Sequence, residues 1–449
     1  MLTNLVTWLN QLRSSSNEEI INNRFNTSQS RQNNAMINTL HFSSDYEKDL
    51  LTCIQKEVDN IGYYNLPEQD TNYIDNYLEQ LDKIQGLANI SDVVVIGIGG
   101  SSLGTKAVYH FIKPVRQLKR NLHFIDSTDP ITITNICNRL NLESVHFLVI
   151  SKSGSTIETI AAYKYTLGLI NGLATDYLPF TFITDKNSPL EKHAKKVGGL
   201  IVNIQDNVGG RFSVLSAVGL IPLILADVKV DCLLQGAKKI KNSFFEKGYM
   251  QEALLKKATF YAKNSTNYNI NAIFSYSDSL SFFNDWYVQL WGESLGKKQK
   301  NSAFNVGLTP IGLTGPKDQH SFLQLLTEGT RDKSVTFIKL KEFNNQQTVP
   351  NITLASLENL DLINNVKFST LINLQENSIF ESLNTSQRIP LDEITIQKQD
   401  EFSIGQLIYY YELLTSLIGD LLNINTYDQP GVESGKQILI QKLKELKDK

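Results

Sequence analysis

Little in this sequence points to a disulfide framework, a nucleic acid or a membrane. Only three cysteines occur, Cys53, Cys137 and Cys232. They are scattered, form no Cys-x-x-Cys pair and have no histidine at metal-ligand spacing, so no disulfide scaffold and no metal site are expected. Such usage fits a reducing compartment, and a cytoplasmic location is the expectation. An excess of one charge is also missing: 43 Lys+Arg stand against 46 Asp+Glu, a net charge of −3 at pH 7. That balance offers no basic footprint for nucleic acid. Long apolar runs are absent. The most apolar stretch, residues 214–226, contains Ser216, Gly219 and Pro222 and is too short to span a bilayer. Residues 1–12 lack both a basic start and a long apolar core, so no signal peptide is expected. No short-period repeat is visible.

What remains is an ordinary soluble composition, 41% hydrophobic and 20% charged, over 449 residues. That length exceeds one ordinary core and predicts two domains. Residues 1–55 are polar and rich in Asn, Ser and Gln, with an amphipathic segment at 2–12, and read as a helical arm. Tyr73, Ile74, Tyr77, Leu78, Leu81, Ile84 and Leu87 recur at helical spacing. From residue 93 the texture changes to short β-branched runs at 93–96, 122–125, 145–150, 180–184 and 200–204, separated by helical segments. Strands alternating with helices predict a doubly wound α/β fold with a parallel sheet, whose ligands bind at the carboxyl ends of the strands. A charged helical connection at 235–263 leads to a second alternation. There, strands are expected at 271–276, 335–340 and 394–397, and helices at 279–296, 319–328, 371–383, 403–422 and 431–446. Residues after 296 read as a Gly/Pro/Thr-rich loop. Ile404, Leu407, Ile408, Tyr411, Leu414, Ile418 and Leu421 form a 3.6-residue stripe.

The chemistry centres on Ser151-Lys152-Ser153-Gly154-Ser155-Thr156-Ile157-Glu158-Thr159, between a buried strand and a helix. A helix N-terminus carries unpaired N–H groups and partial positive charge. Gly154 allows close approach or positive φ, the hydroxyls donate, and Lys152 adds a full charge. Together they can cradle a phosphate. The same residues also fit a capping box, Ser155 with Glu158. The loop Gly97-Ile98-Gly99-Gly100-Ser101-Ser102-Leu103-Gly104 fits neither the dinucleotide fingerprint, which needs glycine where Ser102 stands, nor a P-loop, since Gly104-Thr105-Lys106 replaces Gly-Lys-Ser/Thr. Asp126 does end the next strand, as dinucleotide folds prefer.

Four further residues invite chemistry, each with a plainer alternative. Arg211 follows Gly209-Gly210 and can stabilise an oxyanion, or be a surface arginine at a helix start. Glu293 shares a helix face with Trp286, Gln289 and Leu290, as suits a general base, or pairs with Lys297 one turn on. His320 follows a long loop, residues 309–319, and can shuttle protons, or do nothing. Lys436 is by default a solvated helix lysine.

Taken together, six stretches in order and spacing resemble the phosphoglucose isomerase family. They are Ile96-Gly97-Ile98-Gly99-Gly100-Ser101-Ser102-Leu103-Gly104, the 151–159 stretch, Val208-Gly209-Gly210-Arg211-Phe212-Ser213, Glu293-Ser294-Leu295-Gly296-Lys297, Asp318-Gln319-His320 and Asp428-Gln429-Pro430-Gly431-Val432-Glu433-Ser434-Gly435-Lys436. The chain looks like the compact bacterial form. Three departures from the family pattern stand out. Leu295 stands where Asn is frequent, Pro430 where Trp is common, and Gly154-Ser155 replaces Phe-Thr of longer members.

The resemblance implies two sugar isomerase (SIS-type) α/β domains, each a doubly wound parallel sheet, with added terminal helices. The expected division is an arm at 1–60, domains at 61–234 and 264–425, a helical connection at 235–263 and a terminal helix at 426–449. It implies interconversion of glucose 6-phosphate and fructose 6-phosphate through a cis-enediol, without a cofactor. Gly100, Ser101, Ser151, Lys152, Ser153 and Thr156 would hold the phosphate, with Gln429 nearby and Gln289 lining the site. Glu293 would move the proton between C2 and C1, Arg211 would stabilise the enediolate, and His320 and Lys436 would help open the ring. The implied partner is a second copy supplying His320 in trans, with neither nucleic acid nor membrane. Other readings are an isomerase also accepting mannose 6-phosphate, a non-catalytic SIS-type regulator, which would not need Glu293, Arg211, His320 and Lys436 together, and a dinucleotide-dependent oxidoreductase, against which the missing glycine counts.

Overall fold

All six residues of Val145–Ile150 are buried, as the middle of a parallel sheet with both faces covered demands. The computed structural model describes residues 35–46, 49–171, 177–386 and 389–447. The segment at 2–12, with most of the expected arm, lies outside the described residues. In chain order the strands are β1 (Ile37–Leu40), β2 (Asp92–Ile96), β3 (Asn121–Ile125), β4 (Val145–Ile150), β5 (Phe180–Asp185), β6 (Leu200–Ile204), β7 (Ile270–Tyr276), β8 (Lys297–Lys298), β9 (Asn305–Val306), β10 (Thr309–Thr314), β11 (Lys333–Glu342) and β12 (Leu391–Lys398).

The first sheet has the order β3-β2-β4-β5-β6 and is parallel throughout. Ile96 stands beside Ile125 and Val149, so the carboxyl ends of β2, β3 and β4 lie along one rim. The second sheet has the order β1-β12-β11-β7-β10, with β1 antiparallel to β12 and the remaining pairs parallel. The expected parallel α/β architecture is thus present, and apolar residues of both sheets run into one buried cluster that includes Val93, Val95, Ile273 and Ile338.

Three local expectations need correction. Residues 309–314, read as loop, form edge strand β10 against β7. Pro310 lowers the strand signal, but an edge strand tolerates a missing N–H. Gly312 is needed there because a Cβ would come within 2.7 Å of Asn284 Cβ on the helix Ser281–Leu295. Within the expected helical arm, residues 37–40 form β1, an added strand anchored by Asn38 Nδ2 donating to Asp392 at 2.7 Å. The capping box is also absent: the helix Ile157–Ile170 takes Thr156 as its N-cap, with no side-chain capping bond.

The helix Glu401–Leu421 is not merely striped. Tyr409, Tyr410, Leu413 and Leu417 are as buried as the predicted stripe, the mark of a helix enclosed on all sides. Its neighbour Val230–Phe245 approaches at glycines. A Cβ on Gly236 would lie 1.9 Å from the Phe402 carbonyl oxygen, and one on Gly405 2.1 Å from that of Leu233. The 235–263 connection resolves into this helix and Tyr249–Lys263.

Glu412 sits on the enclosed helix with its side chain fully buried and both carboxylate oxygens unpartnered within the described residues. Burial drives its pKa well above the ordinary 4.5, so the folded protein holds the carboxyl neutral. The unfolded chain ionises it above about pH 4.5, so the stability tied to the neutral form is complete below that pH and is lost as pH rises towards the folded value. The loss runs at about 1.4 kcal/mol per pH unit for one proton. Glu412→Gln, always neutral, is expected to melt close to wild type at pH 4 and progressively higher than wild type as the pH rises above about 5. Thermal unfolding across that range checks it; parallel curves would show that Glu412 does not titrate on unfolding.

Candidate active site

Three loops meet at the carboxyl rim of the first sheet. The first follows β2 and turns through Gly99–Ser101 into the helix Leu103–Ile112. Its glycines are set by approach distance. A Cβ on Gly100 would fall 2.3 Å from Gly210 C, and Gly99 has φ +60° beneath Gln289, whose Nε2 would be 2.8 Å from a Cβ. Ser213 Oγ donates to the Gly100 carbonyl at 3.3 Å, so this loop is tied to the one carrying Arg211. Ser101 is partly exposed on its turn.

The second loop, residues 151–156, runs from β4 to the N-terminus of Ile157–Ile170. Ser151 is buried, its hydroxyl 3.0 Å from Thr156 Oγ1 and accepting from the Gly154 N–H at 3.2 Å. Gly154 has φ +68°. Ser153 is exposed and accepts the Ser155 N–H at 3.4 Å. The cradle geometry thus exists: hydroxyls surround an uncapped helix N-terminus. Lys152 does not point freely into it. Its Nζ donates to the carbonyls of Asp206 at 2.9 Å and Val208 at 2.7 Å.

The third loop presents Arg211, which is buried rather than on the surface. Its Nε donates to Ser294 Oγ at 2.6 Å, and Nη2 to the carbonyls of Thr426 and, at 3.0 Å, Asp428. Nη1 makes only longer contacts, 3.2 Å to Gln429 Oε1 and 3.5 Å to Glu293 Oε2. Short bonds therefore fix the guanidinium, while the Nη1 edge faces a carboxylate and an amide that an incoming oxyanion can replace.

Glu293 lies on the helix Ser281–Leu295, a third exposed, and accepts from Gln289 Nε2 at 3.2 Å. The Glu293–Lys297 pair is not formed. Lys297 Nζ instead bonds Asp428 Oδ1 at 2.9 Å and the Asn425 carbonyl at 3.1 Å. Gln289 Oε1 is buried with no partner among the described residues. Asp126, where a dinucleotide ribose would sit, is already engaged by Lys106 and, at 3.4 Å, by Ser102.

A matching family model decides the family. The model described as phosphoglucose isomerase matches residues 81–449. The chain belongs to the phosphoglucose isomerase family. It is 41% identical over 384 residues to a glucose-6-phosphate isomerase of Campylobacter jejuni, covering 85% of this chain and 91% of that one. It is 36% identical to one of Methanocaldococcus jannaschii, covering 82% and 88%. The fold resembles a hypothetical protein from Thermus thermophilus, with TM-score 0.80, 29% identity and coverage of 88% and 94%.

Two residues expected in the site of a family member, His320 and Lys436, make no hydrogen bond or ion pair with Glu293 or Arg211 among the described residues. His320 is exposed at the end of the turn Lys317–Gln319. Its neighbours peg that turn: Asp318 accepts the Thr314 N–H at 2.7 Å, and Gln319 donates to Tyr276 Oη at 2.7 Å. Since β10 runs to Thr314, the projecting loop begins only at Gly315 and is shorter than expected. Lys436 lies on the exposed helix Glu433–Lys447, paired with Glu433 at 2.7 Å. Two departures from the family pattern acquire reasons. Gly154 holds a left-handed φ, and a Cβ would come within 2.8 Å of Leu190 N. Leu295 is fully buried. Sequence reasoning missed the role of Ser294 and of the Thr426 and Asp428 carbonyls. The only signal was Ser294's place beside Glu293.

Proposed function

We propose that this family member interconverts glucose 6-phosphate and fructose 6-phosphate through a cis-enediol, with the phosphate on the 151–156 loop and the reacting carbons at the Arg211–Glu293 pair. The observation that carries the reading is that pair itself, a carboxylate 3.5 Å from the one displaceable edge of a buried guanidinium, beside a helix N-terminus ready for an anion. Aldose–ketose isomerisation needs this combination. A carboxylate takes the proton from C2 and returns it to C1, while a fixed cation stabilises the oxygen as negative charge develops. Ser101, Ser151, Ser153 and Thr156, with the Gly100 backbone, hold the phosphate, and its binding helps to position C1 and C2. Gln289 orients Glu293, and Gln429 fills the Nη1 position until substrate enters. The two sheet-bearing halves, 61–234 and 264–425, supply opposite walls. The reaction takes place in the cytoplasm. No helix among the described residues is long and apolar enough to cross a membrane.

The test is direct. Purified protein given fructose 6-phosphate is expected to form glucose 6-phosphate, read by a coupled dehydrogenase. Absence of product would remove the reading.

The working unit is a homodimer in which His320 serves the partner's site, and His320 and Lys436 assist ring opening. Supporting this, His320 is exposed, and the helix Glu433–Lys447 leaves Ile438, Leu443 and Leu446 uncovered on a single chain. Exposed apolar surface of this kind marks association. Inactive His320→Ala subunits mixed with inactive Glu293→Gln subunits are expected to regain roughly one quarter of wild-type activity. Half the re-paired dimers are mixed, each with one intact site, by two-fold counting. No recovery after verified exchange would place His320 in its own chain's site.

A further inference from the structure

Lys152 is the residue whose position in the structure departs furthest from its expected role as a phosphate ligand. Its Nζ spends two of three protons on the Asp206 and Val208 carbonyls, at 2.9 and 2.7 Å, across 54 and 56 residues of sequence. No other donor reaches either carbonyl among the described hydrogen bonds. Val208 is fully buried, so losing the ammonium would strand a buried acceptor. Immediately after it come Gly209, Gly210 and Arg211. The Gly100 loop packs against one side of this backbone, where a Cβ on Gly100 would fall 2.3 Å from Gly210 C, and Lys152 holds the stretch just before it. The main chain of Lys152 meanwhile belongs to the cradle, its carbonyl accepting the Asp185 N–H at 3.2 Å.

We propose that Lys152 is a positioning residue rather than a phosphate ligand: it straps the Gly-Gly loop to the 151–156 cradle and so sets the backbone from which Arg211, held at its far end by Ser294, Thr426 and Asp428, presents Nη1. This rests on the reading of the site given above. Binding at the phosphate end, which orders the cradle, then reaches the oxyanion end through the Lys152 side chain, beside the tie that Ser213 makes to the Gly100 carbonyl. That connects the non-reacting end of the substrate to transition-state stabilisation.

The two roles separate in kinetics. Lys152→Met in the full-length protein is expected to lower kcat by about ten- to hundredfold, as a small misplacement of a catalytic group does. The inhibition constant of inorganic phosphate is expected to stay within about twofold, because the hydroxyls and helix N-terminus still hold the anion. In an Arg211→Lys background the same change should cost little more, since residues acting as a unit are non-additive. Should Lys152→Met fail to fold by circular dichroism, Lys152→Gln is read in the same way. A phosphate inhibition constant raised tenfold or more with kcat retained would overturn the proposal, as would full additivity with Arg211→Lys. A wild-type protein inert towards fructose 6-phosphate would instead count against the function itself.

Discussion

Glu293→Gln is expected to lower kcat by about 10²–10⁴-fold while sugar-phosphate binding survives. A positioned general base contributes roughly that factor, and the amide keeps the shape of the side chain but cannot accept the C2 proton. Structural damage should be small, because Glu293 is a third exposed and its contacts are a 3.2 Å bond from Gln289 and the 3.5 Å approach of Arg211. Arg211 keeps its shorter bonds to Ser294 and the Thr426 and Asp428 carbonyls. The check is a pair of measurements on one preparation, kcat by the coupled assay and affinity for fructose 6-phosphate by calorimetry. Near-normal turnover would remove Glu293 from the mechanism.

Arg211→Lys carries the second large effect, a loss of about 10²–10³ in kcat, the range found when one oxyanion donor is removed. Charge alone does not make the site. The guanidinium bonds Ser294, Thr426 and Asp428 through Nε and Nη2 and leaves Nη1 aimed at Glu293. An ammonium has three donors on a flexible stem and cannot satisfy those acceptors while also facing the substrate. Stability should fall as well, because Ser294 is fully buried and its hydroxyl would lose its 2.6 Å partner. Turnover within about threefold of wild type would show that a point charge suffices.

The loops were legible where chemistry dictates residue type over a short span. The hydroxyls, Gly154 and Lys152 read as an anion cradle because the pattern lies within nine consecutive residues. The glycines at 97–104 were visible as a close approach, though not what they approach, since Gly210 and Gln289 lie far along the chain. Lys152 is the clearest case of the same limit. A lysine beside serines reads as a phosphate ligand locally, and only the fold shows carbonyls more than fifty residues away within reach. Long-range partners also decided the plainer alternatives. Glu293 and Lys297 have the spacing of a helical ion pair, yet each finds a partner elsewhere, Arg211 and Asp428. Among the elements, β10 was hidden by Pro310 and Gly312, which edge position and helix contact allow. The burial of Glu401–Leu421 was understated because periodicity reports one face, and glycines on two helices enclosed the other.

The most direct test of the account is isomerisation of fructose 6-phosphate in D₂O, followed by NMR at C2 of the glucose 6-phosphate formed. Proton transfer through Glu293 predicts deuterium at C2 in at least part of the product, and loss of both isomerisation and labelling in Glu293→Gln. Full conversion with hydrogen transferred and no deuterium incorporated, or labelling undiminished in Glu293→Gln, would contradict it.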